Sequence, residues 1–497
     1  MGSIKSLMKD TAIYGLSSII GRFLNWCLVP LYTNMLTPAE YGINTYVYSV
    51  VALALIVLTY GMETGFFRFA NDSRWKDPME VYSTTLISLA VSSSAFVVLV
   101  ALFLNPVTTW MECDGHPEYV MMMAVCVAAD AFTAIPFSYL RYRKRPVRFA
   151  TLKFINIGVN ISLNLFFILL CPWLMRVAPA TVSWFYDPSF GIIGYIFLAN
   201  LISSLLTLVM LLPELRGFRW RFNRRLWHAM IVYSAPLLAL GFAGIMNQNL
   251  DKILYPSLAT DSAQAMNGLG IYGANYKIAI VMVMFIQAFR FAYEPFIFAQ
   301  SRDRGEERLQ AYRDAMKYFV IFALVIFLGV MFYIDIFKKF ISPKYFSGLQ
   351  VVPIVMLAEL FFGIFFNLSL WYKLTDKTVW GMYFSLLGLG ITILGNVLLV
   401  PRMGYMGCAW AALSCYTVMM VASYFVGRAK YPIGYPLRRI AAYFALAAVL
   451  YVVGMYVIDM PQMWLRLPLR TLLIAAFVIV VIRHEGIRLP KRLHLSR

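Results

Sequence analysis

Charged residues are scarce in this sequence: Asp, Glu, Lys and Arg make up only 13% of its 497 residues. Soluble chains carry about twice that share, roughly 25%. Hydrophobic residues make up 61%, and the mean hydropathy is +0.71. A single globular core stops growing at about 250–300 residues and still needs a polar shell. The composition therefore excludes a soluble domain and predicts a chain surrounded mostly by lipid.

The sequence also lacks the usual signatures of catalytic and metal chemistry. Its six cysteines form no C-x-x-C pair, and its four histidines lie in loops or at the ends of apolar runs. No Walker motif is present, which excludes a built-in ATPase. We therefore expect no catalytic residues, no metal site and no cofactor other than a coupling ion, H⁺ or Na⁺.

Long apolar runs dominate what is present. A helix needs about 20 mostly apolar residues to cross a bilayer, whereas β-barrel strands are short and alternate in polarity. The pattern predicts an all-α polytopic membrane protein of about fourteen spans. The predicted spans are 9–34, 41–63, 83–104, 117–140, 149–171, 190–212, 227–256, 270–299, 314–337, 348–372, 379–400, 404–427, 437–458 and 464–482.

Basic residues are distributed unequally between the two sides of these spans. Of 43 Lys and Arg, 31 fall in the termini and alternate loops, seven fall in the opposite loops, and five lie inside spans. The positive-inside rule then places both termini in the cytoplasm, so we expect a cytoplasmic-membrane protein. The basic run 216–225 contains aromatic residues and could bind nucleic acid, but it is explained by topology and anionic headgroups. We expect membrane lipids as partners and no nucleic acid.

Two halves of the chain resemble each other. Tyr-Gly-Ile-Asn at 41–44 recurs as Tyr-Gly-Ala-Asn at 272–275, and Glu63 corresponds to Glu294 at the same shift of 231. Because each half would contain an even number of spans, the repeat is parallel, with a pseudo-twofold axis along the membrane normal. The predicted organisation is an N-lobe at 1–213 (spans 1–6), a basic cytoplasmic linker at 214–226, a C-lobe at 227–428 (spans 7–12), an extra pair of spans at 437–482 and a basic cytoplasmic tail at 483–497.

The segment Pro-Leu-Tyr-Thr-Asn-Met-Leu-Thr-Pro-Ala-Glu-Tyr-Gly at 30–42 resembles the first-loop signature of the polysaccharide transporter (Wzx-like) flippases. These belong to the multidrug/oligosaccharidyl-lipid/polysaccharide exporter superfamily. Gly-Met-Glu-Thr at 61–64 with Arg68-Phe69, Asp251-Lys252, and Tyr272 with Tyr276-Lys277 are similar to the same family. Two positions depart from it: Asn34 replaces a common basic residue, and Lys252 replaces a common Arg.

This resemblance implies a flippase that moves a polyprenyl-diphosphate-linked oligosaccharide across the membrane by alternating access. The carried lipid would be a precursor of lipopolysaccharide, capsule or exopolysaccharide, and a polysaccharide polymerase or assembly protein is an expected partner. The tail would stay in lipid, along a groove lined by spans 13 and 14, as the two extra helices of related lipid II flippases imply.

Cations inside spans are expensive and usually face a cavity, a partner or the interface. Arg22 lies about 13 residues from either end of span 1, too far to reach water, so we expect it in an interior cavity. A guanidinium there suits phosphate, although an ion pair is the alternative. Lys277 and Arg290 lie on span 8 and point about 220° apart on an ideal helix, so they should not both face one cavity squarely unless the helix bends. The predicted substrate-binding residues are Arg22, Lys277 and Arg290.

Acidic residues in the spans suggest gating or ion coupling. Glu63 and Glu294 end equivalent helices and could form gating ion pairs with Arg68 or loop cations, or Glu294 could simply pair with Arg290 at the i, i+4 spacing. Deeper acids could accept a coupling proton. Adjacent opposite charges near the outer end of span 7 could be an outer gate, although a plain interfacial pair is the simpler interpretation. The predicted set is Glu63, Arg68, Asp130, Asp251, Lys252, Glu294 and Glu359.

Three other functions compete with the flippase. An ion-coupled multidrug exporter would need an acid-dominated cavity, which the central Arg22 argues against. A membrane-embedded oligosaccharide polymerase or glycosyltransferase would normally need a sizeable loop with catalytic acids or His, whereas the loops here are short. A non-transporting scaffold is the third alternative. The sequence does not identify the glycan, the coupling ion, the oligomeric state or the resting conformation.

Overall fold

A computed structural model describes residues 15–17, 19–75, 77–300, 306–375, 377–458 and 460–486, apart from the side chains of 292, 294–300 and 374. Every regular element in these ranges is helical, and fourteen helices follow the predicted spans in order. They are α1 (15–26, residue 18 not described), α2 (Pro38–Thr59), α3 (Pro78–Leu102), α4 (Pro117–Tyr142), α5 (Pro146–Leu165), α6 (Gly191–Leu211), α7 (Arg224–Leu258), α8 (Ala265–Gln300), α9 (Glu306–Phe332), α10 (Val351–Leu368), α11 (Val379–Met403), α12 (Tyr405–Lys430), α13 (Leu437–Val452) and α14 (Met463–Glu485).

Within the described ranges, thirteen of these helices, α2 to α14, are long and apolar enough to cross a membrane. The prediction of an all-α polytopic membrane protein is confirmed. Shorter helices extend or connect the spans. They are Val29–Met35, Met62–Ala70, Leu104–Trp110, Cys171–Val177, Pro179–Val182, Ile334–Phe337 and Leu370–Leu374, with 3₁₀ turns at Pro188–Phe190, Leu212–Leu215, Ser262–Gln264, Lys338–Phe340 and Pro343–Gly348 and π-helical turns at Phe166–Leu170 and Val453–Val457.

Local chemistry explains where several helices begin. The Thr-Pro-Ala-Glu stretch before α2 forms a capping box: Thr37 Oγ1 accepts from the Glu40 amide, and Glu40 Oε2 accepts from the Thr37 amide at 2.7 Å. The carboxylate of Asp77 caps α3, and the side-chain oxygen of Asn223 caps α7. The family-like segment at 37–42 is therefore also a strong helix start.

The helices pack within and between the two halves. In the first half, α4 packs against α2, α3, α5 and α6; in the second, α12 packs against α7, α10 and α11. Between the halves, α2 packs against α7 and α8. The helices α2 and α8 approach very closely, because a Cβ at Gly42 would lie 1.9 Å from Met266 O and one at Gly270 would lie 1.8 Å from Pro38 O.

The final pair, α13 and α14, packs on α9. We call the end of the bundle that the sequence predicts to be cytoplasmic the inner end, and the opposite end the outer end. At the inner end, Lys317 of α9 lies 2.5 Å from Glu485 of α14. At the outer end, Arg466 of α14 lies 2.7 Å from Asp335, which follows α9. Ion pairs therefore tie α14 to α9 at one end and to the segment that follows α9 at the other. The domain boundaries at 213, 226, 428 and 437–482 stay predictions, as does the tail, most of which lies outside the described residues.

Candidate functional site

A central cavity lies where the two halves meet. It consists of two adjoining compartments of about 310 and 340 Å³ that share wall residues from α1, α2 and α8, among them Arg22, Tyr41, Lys277 and Gln287. The first compartment extends toward α7 and α10, and the second toward α5 and α6. The volumes are in the range of small-ligand sites.

The structure brings the three predicted cations together. Arg22, Lys277 and Arg290 all line the first compartment, and Arg22 and Lys277 also line the second. Lys277 and Arg290 therefore share a compartment, although on a straight helix they were not expected to face one cavity squarely. The angular argument considered only where each side chain leaves the helix, whereas these long side chains extend well beyond that point. Arg290 also lies 4.0 Å from the centre of the Phe366 ring.

Arg22 and Lys277 differ from the other cations of the cavity in what surrounds them. No acidic group within the described ranges lies within salt-bridge distance of either one. Lys252, by contrast, is paired with Asp251, and Arg290 also interacts with a neighbouring group. Four cations and one carboxylate, that of Glu359, line the first compartment. Because two of the cations lack an acidic partner, the cavity is suited to an anion.

Asp251 and Lys252 are buried, with 4% and 7% of their surfaces exposed. The interpretation of a plain interfacial pair is therefore wrong. The Lys252 ammonium donates to both Asp251 oxygens, at 3.0 and 3.1 Å, and to the Gln248 carbonyl at 2.9 Å. The Tyr272 hydroxyl donates to Asp251 Oδ2 at 2.6 Å. These bonds compensate the burial of two charges, which would otherwise be costly.

Glu359 on α10 is 5% exposed and accepts a 2.7 Å hydrogen bond from the Tyr276 hydroxyl. The Tyr276 ring in turn lies 4.4 Å from the Lys252 ammonium. The buried acid, the tyrosine and the ion pair thus form one polar network in the wall of the first compartment. Asp130, its predicted counterpart on α4, is exposed rather than buried and lines neither compartment.

One of the predicted gating residues at the inner end has an expected kind of partner. Glu63 pairs at 2.8 Å with Arg141, the first residue of the basic loop segment 141–149, which is one of the loop cations expected as an alternative to Arg68. The Arg68 guanidinium instead lies 4.3 Å from the ring centre of Tyr233 on α7. This contact joins the first half of the chain to the second. The side chain of Glu294 lies outside the described residues, so its predicted pairing stays a prediction.

The outer end of the cavity is covered by contacts between the first loop and the segment that precedes α10. The Trp26 ring stacks on Phe340 with centres 3.8 Å apart, and the Tyr345 hydroxyl donates to the Leu36 carbonyl at 3.0 Å. Asn34, one of the departures from the family pattern, uses its backbone carbonyl to accept from Lys344 at 3.3 Å. The family-like first loop therefore holds the two halves together here.

Sequence reasoning missed the uncharged polar wall of the cavity. The second compartment is lined by Tyr32, Asn44, Tyr48, Asn160 and Asn200. Tyr32 donates to Asn164 at 2.9 Å, and Asn200 bonds Tyr48. Side-chain amides within long apolar runs were the available signal, because such groups need a partner or water at membrane depth.

Several buried side-chain oxygens in the second half were also missed. Among the described residues, those of Asn247 and Asn396 are two that lack a hydrogen-bond partner. In the described part of the chain, no group of three or more His, Cys, Asp or Glu is arranged to hold a metal ion.

The fold is shared with solved membrane transporters. A structure described as the lipid II flippase MurJ in an inward closed conformation has a TM-score of 0.71 at 14% identity, and the match covers 97% of this chain and 100% of that chain. An inward-facing multidrug resistance MATE family transporter of the MOP superfamily has a TM-score of 0.62 at 14% identity, with 87% and 95% covered. The MATE multidrug transporter DinF-BH has a TM-score of 0.61 at 14% identity, with 86% and 96% covered.

A search of curated protein sequences found no match. The family described as polysaccharide biosynthesis protein matches residues 7–300, which is more than half of the chain and includes α1, α2, α7 and α8, the helices that contribute most of the cavity wall. The chain has the fold of the MOP-superfamily transporters, and it belongs to the polysaccharide biosynthesis protein family.

Proposed function

We propose that this protein is a flippase for a polyprenyl-diphosphate-linked oligosaccharide. The observation that carries the proposal is the pair Arg22 and Lys277, which line both compartments and have no acidic partner within salt-bridge distance in the described residues. They lie on α1 and α8, one in each half of the chain. A diphosphate bound by both would link the halves electrostatically at the centre of the bundle.

The rest of the wall fits the sugars of such a headgroup. Asn44, Asn249 and Gln287 supply amides, and Tyr41 and Tyr48 supply rings and hydroxyls. Amides and hydroxyls can donate to and accept from sugar hydroxyls, which a purely apolar wall could not do. Rocking of the two halves about the headgroup would then expose it to each side in turn.

The polyprenyl tail would remain in the bilayer, against α13 and α14. This pair presents exposed apolar side chains, among them Val449, Leu472 and Ile479. The flippase fold matches 97% of the chain, whereas the MATE folds match 86–88%. The flippase fold covers a larger share of this chain than the MATE folds do, and this supports a role in lipid handling for the additional part of the chain that it covers.

The direct test is transbilayer movement of a labelled lipid-linked oligosaccharide in proteoliposomes. We expect Arg22→Ala and Lys277→Ala each to reduce the apparent affinity about 10- to 100-fold, because a charge-assisted hydrogen bond contributes about 1.5–3 kcal/mol. Arg22→Lys, which keeps the charge, should retain part of the activity. Lys153→Ala is the matched control: this lysine is also inside a span, but it lies over Phe137 and lines neither compartment. Wild-type transport by both alanine variants would refute the site.

An ion-coupled multidrug exporter is the second candidate, because Glu359 contributes a carboxylate to the cavity. The same proteoliposomes loaded with a cationic dye distinguish the two functions. We expect no dye transport. Glu359-dependent dye export without movement of the glycolipid would replace the flippase proposal with the exporter.

We further propose that the protein transports its substrate without catalysing a reaction and without a bound cofactor. Coupling to H⁺ or Na⁺ through Glu359 and Asp251 is part of the same proposal. The basic residues at the inner end support insertion into the cytoplasmic membrane with both termini in the cytoplasm. The proposed partner is a polysaccharide polymerase or assembly protein that acts on the lipid-linked oligosaccharide after the flippase. Labelling of single cysteines from each side, placed at residues 144 and 339, tests this orientation.

A further inference from the structure

A second polar cavity, of about 780 Å³, lies at the inner end of the second half and shares no lining residue with the central one. Its wall comes from the ends of α10 and α12 and from the loop 431–436 that leads into α13. It joins an apolar groove of about 510 Å³ between α9, α10, α12 and α13, with which it shares Leu368, Tyr424, Tyr435 and Leu437. A polar cavity that continues into an apolar groove is the shape required by an amphipathic ligand.

The polar cavity is strongly basic. Arg428, Arg438 and Arg439 line it, and no acidic residue does. Within the described ranges, neither Arg428 nor Arg438 lies within salt-bridge distance of a carboxylate, and Arg439 lies 3.8 Å from Glu485. Guanidinium groups bind phosphate through paired hydrogen bonds, so this cluster favours a phosphate group.

The floor of the cavity holds two buried donors without partners. Trp371 is 2% exposed and Ser423 is 0% exposed; the indole Nε1 and the hydroxyl Oγ lack hydrogen bonds, and both residues line the cavity. Gly427 packs against the indole, since a Cβ there would lie 2.9 Å from Trp371 Nε1. Both polar atoms are fully buried beneath the wall, so the arginines above them are the groups that a ligand in the cavity can reach.

The loop 431–436, which lies over this cavity, is held in place by a side chain of α9. Arg313 of α9 donates to the Ile433 carbonyl at 2.6 Å and also pairs with Glu306. A loop held in place loses little conformational entropy when a ligand binds. At the other end, Val421, Phe425 and Leu437 of the groove are exposed, which opens it to the hydrocarbon of the surrounding leaflet.

We propose that this cavity and groove bind one anionic glycerophospholipid from the leaflet at the inner end. The phosphate lies between Arg428 and Arg438, and an acyl chain lies in the groove. The lipid holds α12 and α13 together. The polar cavity shares no lining residue with the central cavity, and its test does not depend on transport.

The experiment is native mass spectrometry of the full-length protein after incubation with an equimolar mixture of phosphatidylglycerol and phosphatidylcholine of identical acyl chains. We expect one retained phosphatidylglycerol, favoured at least about fivefold, because each basic residue near an anionic lipid contributes about that factor. The double variant Arg428→Ala/Arg438→Ala should lose this preference. The matched control Lys430→Ala/Arg143→Ala removes two inner-end cations outside the cavity and should keep it.

Ala441→Trp fills the exposed mouth of the groove and should reduce retention of both lipids. Equal retention of the two lipids by the wild type, or equal preference in the double variant and its control, would overturn the proposal. Displacement of the phosphatidylglycerol by an equimolar polyprenyl diphosphate would also overturn it, since the site would then serve the substrate.

Discussion

The indole N–H of Trp26 donates a 2.7 Å hydrogen bond to the backbone carbonyl of Lys277. This bond joins α1 to α8, and the same ring stacks on Phe340. One side chain therefore connects the backbone of a proposed substrate-binding residue to the contacts at the outer end. When the two halves separate at the outer end, the contacts of Trp26 must either break or move together with one of the halves.

Trp26→Phe should loosen the outer end without removing the stacked ring. The lost hydrogen bond is expected to cost about 1 kcal/mol. We expect spin labels at residues 34 and 344 to show a larger share of long distances in this variant than in the wild type. Phe23→Leu, on the same helix, removes a ring that contacts Trp26 but no bond to α8, and should leave the distribution unchanged. Identical distributions in Trp26→Phe and the wild type would contradict the assignment.

Gly270→Ala should force α2 and α8 apart, because the added Cβ would lie 1.8 Å from Pro38 O. Such overpacking costs about 1–3 kcal/mol. We expect slower transport and weaker disulfide formation between cysteines introduced at Thr45 and Gly273. Gly158→Ala is the control, since nothing lies within 4 Å of its added Cβ. Equal cross-linking in the two variants would show that the close approach is not required.

Glu359→Gln tests ion coupling. The amide oxygen of Gln can still accept the Tyr276 hydroxyl, but the side chain can no longer gain or lose a proton. We expect uptake in proteoliposomes to lose its response to an imposed pH gradient. Tyr276→Phe keeps the carboxyl group and should retain that response. If Glu359→Gln still responds to a pH gradient, with or without a response to a sodium gradient, Glu359 is not the proton acceptor.

The ion cluster around Asp335 should make stability fall at low pH. Burial alone would raise the pKa of Asp335, but the hydrogen bond from Lys338 and the charges of Lys338, Arg466 and Arg470 outweigh it and hold the pKa below its ordinary value of 3.8. A lowered native pKa contributes stability that is complete above the unfolded value and is lost as pH falls through the native value. The Tm of the wild type should therefore decrease below about pH 4, and that of Asp335→Asn should decrease less in the same window. Parallel Tm curves would contradict this role.

The sequence predicted the order of the spans, and thirteen of the fourteen are long and apolar enough to cross a membrane within the described ranges, because lipid imposes a length and an apolar composition on every helix that crosses it. It also predicted that Arg22 faces an interior cavity, because a guanidinium at that depth has few alternatives. The partners of Glu63 and Arg68 were harder to predict. Glu63 pairs with Arg141, 78 residues away, and Arg68 lies on Tyr233 of the other half. Those contacts depend on how helices from distant parts of the chain are rotated and spaced, which local pattern does not encode.

The burial of Asp251 and Lys252 likewise could not be predicted from the local sequence. Adjacent opposite charges near a helix end are typical of an exposed pair, and only the packing of Tyr272 and Tyr276 from α8 makes the site enclosed. The amide-rich wall could have been anticipated from asparagines in apolar runs. Its convergence on one cavity could not, because it requires the positions of α2, α5, α6 and α8 together.

The two ion pairs that join α14 to α9 and to the segment after it constrain how α14 moves. A helix attached at one end could rotate about that point, whereas a helix attached at both ends moves with its support as a single body. During alternating access, α14 would therefore keep its spacing from α9, and a lipid chain beside α14 would move with the second half of the chain.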